Sequence, residues 1–180
     1  MSIKGMEKAI AELLVAIGAT SHTLHGTPKR VAAAYAEMLN GYEVDISSLY
    51  FAEDDFGKDQ QVIVSNIDCV SLCPHHLLPV QSKIAIGYLP KDKVIGVSKL
   101  GRIALAFGHR MVLQEELTAL IANSLMENLK PLGVAVVIVG EHSCMRFRGV
   151  KFLNSKMTTS EMRGSYRENA MLRQEFLALL

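Results

Sequence analysis

The chain has 180 residues, of which 49% are hydrophobic and 21% charged, a composition typical of one globular domain rather than of a disordered chain. Its 19 basic and 18 acidic side chains give a net charge of +1, so no global field attracts nucleic acid or an anionic membrane. The absence of tryptophan and of a basic stripe, with 6% aromatic residues, further disfavours nucleic-acid binding.

The N-terminal 19 residues predict an amphipathic helix. Its apolar side chains recur at helical spacing: Met6, Ile10, Leu13, Leu14 and Ile17. Glu7, Lys8 and Glu12 interrupt this segment, which therefore lacks the unbroken apolar run of a signal peptide. No stretch of the sequence reaches the length of a membrane span, so we expect a cytoplasmic protein without a membrane partner.

A second helix is predicted over residues 28–40. Thr27 and Pro28 have the pattern of an N-cap followed by proline at the first helical position, and Asn40-Gly41 supplies a stop signal. Residues 53–60 predict an acidic loop. We expect an N-terminal helical extension over residues 1–45 and a main domain over residues 46–180, packed as a single structural unit.

The remaining elements predict an α+β fold. Strands are expected over residues 61–68, 80–89 and 133–150, and helices over 98–108, 112–129 and 168–179. The buried face of the long helix is predicted to carry Leu113, Leu117, Leu120, Ile121 and Leu125. Two consecutive helices between strands favour an antiparallel sheet with both helices on one face.

The strongest local motif is Cys73-Pro74-His75-His76. A Cys-x-x-His spacing lets one tight turn present a thiolate and an imidazole to the same ion, and these ligands suit zinc. Taken alone, the motif is also compatible with a buried cysteine beside surface histidines.

A second motif lies near the end of the predicted strand over residues 133–150. In a continuous strand the even-numbered residues share one face, which becomes polar at its end with His142, Cys144, Arg146 and Arg148. A satisfied histidine and a small core thiol would be the ordinary explanation. Together with Cys73 and His76, however, Cys144 would give three zinc ligands and an open fourth position, which is the arrangement of catalytic zinc sites.

Cys69 leaves an alternative open. It lies four residues before Cys73 and could be a fourth ligand that closes a structural zinc site. We prefer to interpret it as a core or strand-end thiol, because three unevenly placed cysteines do not form a disulfide scaffold and a lone cysteine is commonly buried.

Two further segments combine polar groups at predicted helix starts. Ser98, Lys99 and Arg102 begin one helix, where free backbone N–H groups favour an anion, with Arg148 and Arg30 as further positive charges. Gln114 and Glu115 begin the next helix. The acidic side chains there, Glu115 and the following Glu116, are explained by the helix dipole, or for Glu115 by a second role in accepting two hydrogen bonds from a guanine edge.

With these motifs in order, the chain resembles the GTP cyclohydrolase I family. The resemblance runs from Thr27 to about Leu180 and rests on separated motifs: Thr27-Pro28-Lys29-Arg30, Cys73-Pro74-His75-His76, Ile95-Gly96-Val97-Ser98-Lys99, Arg102, Gln114-Glu115, His142-Ser143-Cys144, Arg148-Gly149 and Thr158-Thr159-Ser160. It implies the tunnelling fold, assembled as a homodecamer of two stacked pentamers with active sites between subunits.

The resemblance also implies roles for individual residues. Zn²⁺ would be held by Cys73, His76 and Cys144, with His75 and His142 as acid–base groups and Gln114 beside them. Gln114, Glu115 and the backbone near Val97 would hold guanine. The ribose and triphosphate of the substrate GTP would be held by Ser98, Lys99, Arg102, Arg148 and Arg30.

The implied reaction is the zinc-dependent hydrolysis of GTP to 7,8-dihydroneopterin triphosphate and formate, the first step of pterin and folate biosynthesis. Pro74 stands where the family usually has glutamate, so a negative charge beside the metal is missing. The alternatives are a related tunnelling-fold enzyme acting on another purine or pterin, and a non-catalytic homologue that binds zinc or a pterin.

Overall fold

The computed structural model describes residues 1–19, 24–50, 52–54 (backbone) and 60–180. Its strands are β1 (Ala52–Asp54), β2 (Val62–Leu72), β3 (Pro79–Leu89), β4 (Lys93–Ile95), β5 (Gly133–His142) and β6 (Met157–Gly164). Its α-helices are α1 (Ile3–Ala16), α2 (Thr27–Met38), α3 (Val97–Gly108), α4 (Gln114–Asn128), α5 (Ser143–Arg146), α6 (Ser165–Glu168) and α7 (Ala170–Ala178). Short 3-10 turns cover Asn40–Glu43 and Ile46–Leu49.

An antiparallel sheet with the strand order β2-β3-β5-β6 is the larger of the two sheets in the described part of the chain. Apolar side chains alternate along β3, and Ile84, Ile86 and Tyr88 belong to the main core beneath α3 and α4. Their partners on β5 (Ile138, Val136 and Val134) lie in the same core. The predicted α+β fold, an antiparallel sheet with two consecutive helices on one face, is therefore confirmed.

The opposite face of the sheet is also covered over part of its length. Ala85, Ala135 and Val137 form a second core with Tyr166 of α6 and Phe176 of α7. Gly87 lies opposite the Phe176 ring, and a Cβ there would approach that ring to 2.8 Å. Successive side chains of β3 thus point alternately to two apolar cores, one beneath α3 and α4 and one beneath α7.

The boundaries of the helical regions differ slightly from the sequence prediction. Helix α2 includes Thr27, and its cap is Gly26 in the left-handed conformation (φ 80°), while Thr27 Oγ1 accepts a hydrogen bond from Arg30. Leu113 is the N-cap of α4 and is 39% exposed, so it does not belong to the predicted buried face. Leu117, Ile121 and Leu125 do belong to it.

Two strand predictions were wrong in part. The strand predicted over residues 133–150 ends at His142, because the chain turns into α5 immediately afterwards. Glu53 and Asp54, at the start of the predicted acidic loop, instead belong to β1, which pairs with β4, and residues 55–59 lie outside the described residues. Strand β6 was not predicted at all.

No helix within residues 1–19, 24–50, 52–54 and 60–180 has both the length and the apolar character needed to cross a membrane.

Candidate active site

A tight turn between β2 and β3 carries the Cys-x-x-His motif. Cys73 N–H donates to the Leu78 carbonyl (2.9 Å), and the Cys73 carbonyl accepts from Leu77 N–H (2.8 Å) and His76 N–H (3.3 Å). Leu77 has a φ of 55°, a left-handed conformation that is uncommon for leucine. The backbone of the turn is thus fixed by hydrogen bonds on both sides of the two histidines.

The same end of the sheet receives the third predicted metal ligand. Val80 at the start of β3 pairs with His142 at the end of β5, and α5 then presents Cys144 two residues later. Potential ligand atoms of Cys73, His76 and Cys144 all lie within 4.8 Å of one another. The structure thus brings together the ligand set that the sequence predicts, although Cys144 lies on a helical turn and not on a strand face.

The chemistry of this donor set fits a zinc ion. Two thiols and one imidazole are ligands that zinc prefers, and three protein ligands leave one position open. Burial raises the pKa of the Cys144 thiol, and the neighbouring Cys73 sulfur raises it further. Cys73 is buried, Cys144 is half-buried and His76 is exposed, so the group lies at the surface end of the sheet.

Cys69 lies outside this group. It is 3% exposed in the main core, and a Cβ added to Gly108 of α3 would overlap its sulfur. Burial raises the pKa of the Cys69 thiol to about 12. The interpretation as a core thiol is therefore favoured over that of a fourth ligand.

We expect Cys69 to resist alkylation in the native protein, because its thiolate form is suppressed and its sulfur is enclosed. Treatment with iodoacetamide at neutral pH should leave Cys69 unmodified before and after incubation with a chelator, as read by peptide mass spectrometry. The unfolded protein, in which all cysteines react, is the control. If chelation alone exposed Cys69 to alkylation, it would be a metal ligand after all.

A cavity of about 410 Å³ lies along the open face of the sheet, whereas a smaller one of about 210 Å³ opens at the ligand group. We take the smaller cavity as the candidate active site because of the side chains around it. Predicted site residues in its lining are Cys73, His75, Gln114, Glu115, His142 and Cys144. The larger cavity is lined by none of them.

His142 and Gln114 form a hydrogen-bonded pair at the back of this cavity. His142 Nε2 lies 3.0 Å from Gln114 Oε1. Burial lowers the pKa of His142, and the Glu115 carboxylate partly opposes this effect. Glu115 itself is exposed in the first turn of α4, where the helix dipole stabilises its charge.

Arg148 reaches the ligand group, whereas Arg146 does not. The Arg148 guanidinium lies 3.0 Å from His76 Nε2, so it can donate to that ring nitrogen. Arg146 is paired with Glu141. The alignment of both arginines with Cys144 on one strand face, as the sequence predicted, is lost because the strand ends at His142.

Apart from Arg148, the predicted anion-binding residues lie away from the ligand group of the same chain. Ile95, just before α3, donates its N–H to Tyr88 Oη, so the start of α3 lies near Tyr88. Tyr88 is eight residues along β3 from Val80, which pairs with His142 at the ligand group. Eight residues of strand span about 26 Å. Val97, Ser98, Lys99 and Arg102 thus begin α3 toward the opposite end of the sheet.

Arg30 is likewise outside the cavity lining. It lies on the exposed face of α2, where its guanidinium donates to Thr27 Oγ1 (2.8 Å) and to the His25 carbonyl (3.3 Å). A single copy of the chain therefore assembles the ligand group, the histidines, Glu115 and, of the predicted triphosphate contacts, only Arg148.

The apolar wall of the cavity is not predicted by the sequence motifs. It is formed by Val80, Val112, Leu113, Met145 and Met157. Met157 begins the unpredicted strand β6, and Val80 is the second residue of β3. An apolar residue at a strand end gives no signal of its own, so these side chains could be assigned to the site only after the strand pairing was known.

Comparison with known proteins places these observations in a family. The sequence model of the family described as GTP cyclohydrolase I matches residues 6–180. A GTP cyclohydrolase 1 of Pelotomaculum thermopropionicum is 44% identical, covering 97% of this chain and 95% of that protein. The human GTP cyclohydrolase 1 is 41% identical, covering 100% of this chain and 73% of its own length.

A solved structure resembles the fold. The archaeosine synthase QueF-like protein in its apo form superposes with a TM-score of 0.50 at 14% sequence identity. The match covers 61% of this chain and 97% of that one. At this identity the likeness concerns the fold, which is the sheet-and-helix arrangement described above.

Proposed function

Because the chain belongs to the GTP cyclohydrolase I family of hydrolases, we propose that it hydrolyses GTP to 7,8-dihydroneopterin triphosphate and formate with a zinc ion as cofactor. The single observation that carries the proposal is the meeting of Cys73, His76 and Cys144 beside the cavity lined by His75, His142 and Glu115. The reaction would supply pterin and folate synthesis in the cytoplasm.

Cys73, His76 and Cys144 would hold the zinc ion. When bound, zinc supplies a Lewis acid that makes water nucleophilic near neutral pH, which is the requirement for hydrolysis at C8 of guanine. Pro74 leaves the site without the acidic neighbour that is usual in the family, so the thiolates of Cys73 on the turn and Cys144 on α5 would provide the negative charge of the ligand group.

His142 would donate a proton to the guanine ring nitrogen that leaves C8. That nitrogen takes the electron pair of the broken C8–N bond together with the proton. An imidazole suits such a transfer because its ordinary pKa lies near neutral pH. His75 lines the other side of the cavity, with Nδ1 3.9 Å from Cys73 Sγ, and would be the second acid–base group.

Glu115 would select guanine. Its carboxylate can accept from the N1–H and the 2-amino group of guanine, whereas adenine has no matching donors and would leave the carboxylate unpaired. Glu115 is exposed, points to the same cavity as His142 and Cys144, and lies in a helix turn where a negative charge is stable.

Replacing Glu115 with glutamine should lower kcat/KM for GTP by about 10- to 100-fold, because one of two charge-assisted acceptors becomes a donor facing a donor. Steady-state kinetics of formate release would measure the change. Glu116→Gln is the matched control, since Glu116 is equally exposed in the same helical turn but does not line the cavity. Equal losses in both variants would contradict a specific guanine contact.

The triphosphate site would be completed by a neighbouring subunit. Ser98, Lys99 and Arg102 begin α3 far from the metal ligands of the same chain, while Arg148 lies beside His76. These residues suit a triphosphate if they belong to an adjacent copy, with Arg30 as a further cation. This requirement supports a site shared between adjacent copies. In our proposal these copies form a homodecamer of two stacked pentamers, with residues 46–180 as the catalytic unit and residues 1–45 as a helical extension.

The test is to incubate the zinc-loaded protein with GTP and to assay formate and, after oxidation, fluorescent neopterin. Equal amounts of both products would support the full reaction and would show that Pro74 is tolerated. Formate without a pterin would mean that the ring opens but does not reclose. If zinc and GTP bind without turnover, the proposal fails, and a related purine or pterin substrate or a binding role remains.

A further inference from the structure

Gln114 is the most enclosed polar side chain at the candidate site. It is 4% exposed, and it begins α4 directly beneath the end of β5. Its Nε2 lies 3.1 Å from the Ile138 carbonyl, 2.9 Å from the Met157 carbonyl and 3.2 Å from Thr159 Oγ1. The two backbone carbonyls can only accept hydrogen bonds, so they fix the NH₂ end of the carboxamide on this side.

The other end of the carboxamide must then face His142. Gln114 Oε1 lies 3.0 Å from His142 Nε2, and an amide oxygen can only accept. The hydrogen of this bond therefore has to come from His142 Nε2. A neutral His142 ring held in this way carries its proton on Nε2 and its lone pair on Nδ1.

The backbone of β5 leaves room for this arrangement. Gly140 lies directly against the Gln114 carboxamide, and a Cβ added at Gly140 would overlap Oε1. Thr118 supports the helix start from below, since its hydroxyl donates to the Gln114 carbonyl (2.7 Å) and contacts Thr159 Oγ1 (2.6 Å). The Gln114 side chain is thus enclosed by polar groups, and hydrogen bonds to strands β5 and β6 fix the orientation of its amide.

From this network we propose that Gln114 is a positioning residue that sets the tautomer and ring orientation of His142, in place of a direct side-chain contact with guanine. The proposal rests on the proposed function for the role of His142, but the hydrogen-bond geometry stands without it. Proton transfer to substrate then proceeds through Nδ1, while Nε2–H stays bound to Gln114. A carboxamide can orient the ring in this way without adding a charge beside it, unlike the carboxylate that orients histidine in hydrolase triads.

The test is nitrogen NMR of histidine-labelled, zinc-loaded protein without substrate, at a mildly alkaline pH where the ring is neutral. The His142 signal is identified by its loss in His142→Gln. We expect a protonated Nε2 and an unprotonated Nδ1 in the unmodified protein, and a mixture of tautomers in Gln114→Met. A direct guanine contact would leave His142 unchanged in the absence of substrate.

Two further variants guard against a general loss of structure. Gly140→Ala keeps Gln114 but displaces its carboxamide, so it should give the same mixture of tautomers even if Gln114→Met does not fold. Thr118→Val removes neighbouring buried hydrogen bonds and should retain the Nε2–H form. An Nδ1–H tautomer in the unmodified protein, or an unchanged Nε2–H form in both Gln114→Met and Gly140→Ala, would overturn the proposal.

Kinetics give an independent readout. If Gln114 acts through His142, Gln114→Met should lower kcat for GTP by about 10- to 100-fold, the usual effect of losing an orienting partner, while KM changes less than about threefold. A guanine contact would instead raise KM, and that outcome would contradict the proposal. If the unmodified protein has no activity toward GTP, the proposed function fails, and the NMR result still decides the role of Gln114.

Discussion

Replacing Cys144 with alanine is expected to release the bound zinc ion and to reduce formate release from GTP below detection. Loss of a partner that only orients a metal ligand typically weakens metal binding by 10- to 100-fold, so loss of a ligand itself should exceed about 100-fold. In the proposed zinc site, Cys144 would be the ligand that joins α5 to the Cys73–His76 turn. Without it, a thiol and an imidazole of one turn remain.

The measurement is zinc content per chain after dialysis, together with formate release. Cys69→Ala is the matched control, because it removes a thiol from the core four residues before the ligand turn and should keep a full zinc content. A Cys144→Ala protein that retained one zinc per chain and turned over GTP would refute the three-ligand site. Loss of zinc in Cys69→Ala would point instead to a closed site with four ligands.

Replacing His142 with alanine is expected to leave zinc bound but to lower kcat by about 10²- to 10⁴-fold, the usual contribution of a positioned acid–base group. His142 lines the cavity but is not a member of the ligand group, so metal binding and proton transfer should separate in this variant. The Cys144 and His142 variants therefore fail for different reasons, one by losing the ion and the other by losing the proton donor.

Single-turnover formate release in zinc-loaded protein would measure this effect. His25→Ala is the control, since His25 is exposed before α2 and does not line the cavity. If His142→Ala kept kcat within about threefold of the unmodified protein, another group would have to supply the proton, and His75 would be the next candidate.

The parts of the site that are formed by residues close together in the sequence could be predicted from local motifs. Cys73 and His76 share one turn, so their proximity follows from the Cys-x-x-His spacing. Glu115 lies in the first turn of a helix whose periodicity was clear. The sheet was predicted from the alternation in β3, and its two helices were predicted from their apolar periodicity.

Features that depend on strand pairing could not be predicted in the same way. Cys144 meets Cys73 because Val80 pairs with His142 and because the chain turns into α5, neither of which follows from periodicity. The seat of Gln114 requires a glycine on β5 and two carbonyls on neighbouring strands. The sequence favours the N-terminal end of α3 as part of the same site, but this end lies toward the other end of the sheet. Sequence motifs do not give the distance between two elements of the fold, so this separation could not be predicted.

The separation between the ligand group and the start of α3 has a genetic consequence. Under the proposed assembly, each catalytic centre is formed by two neighbouring subunits. One subunit contributes Cys144, and the other contributes Lys99 and Arg102. A chain defective at Cys144 and a chain defective at Arg102 would each be inactive alone. In mixed rings, some centres would receive both intact halves, so the two alleles would complement each other, whereas two alleles within the ligand group would not.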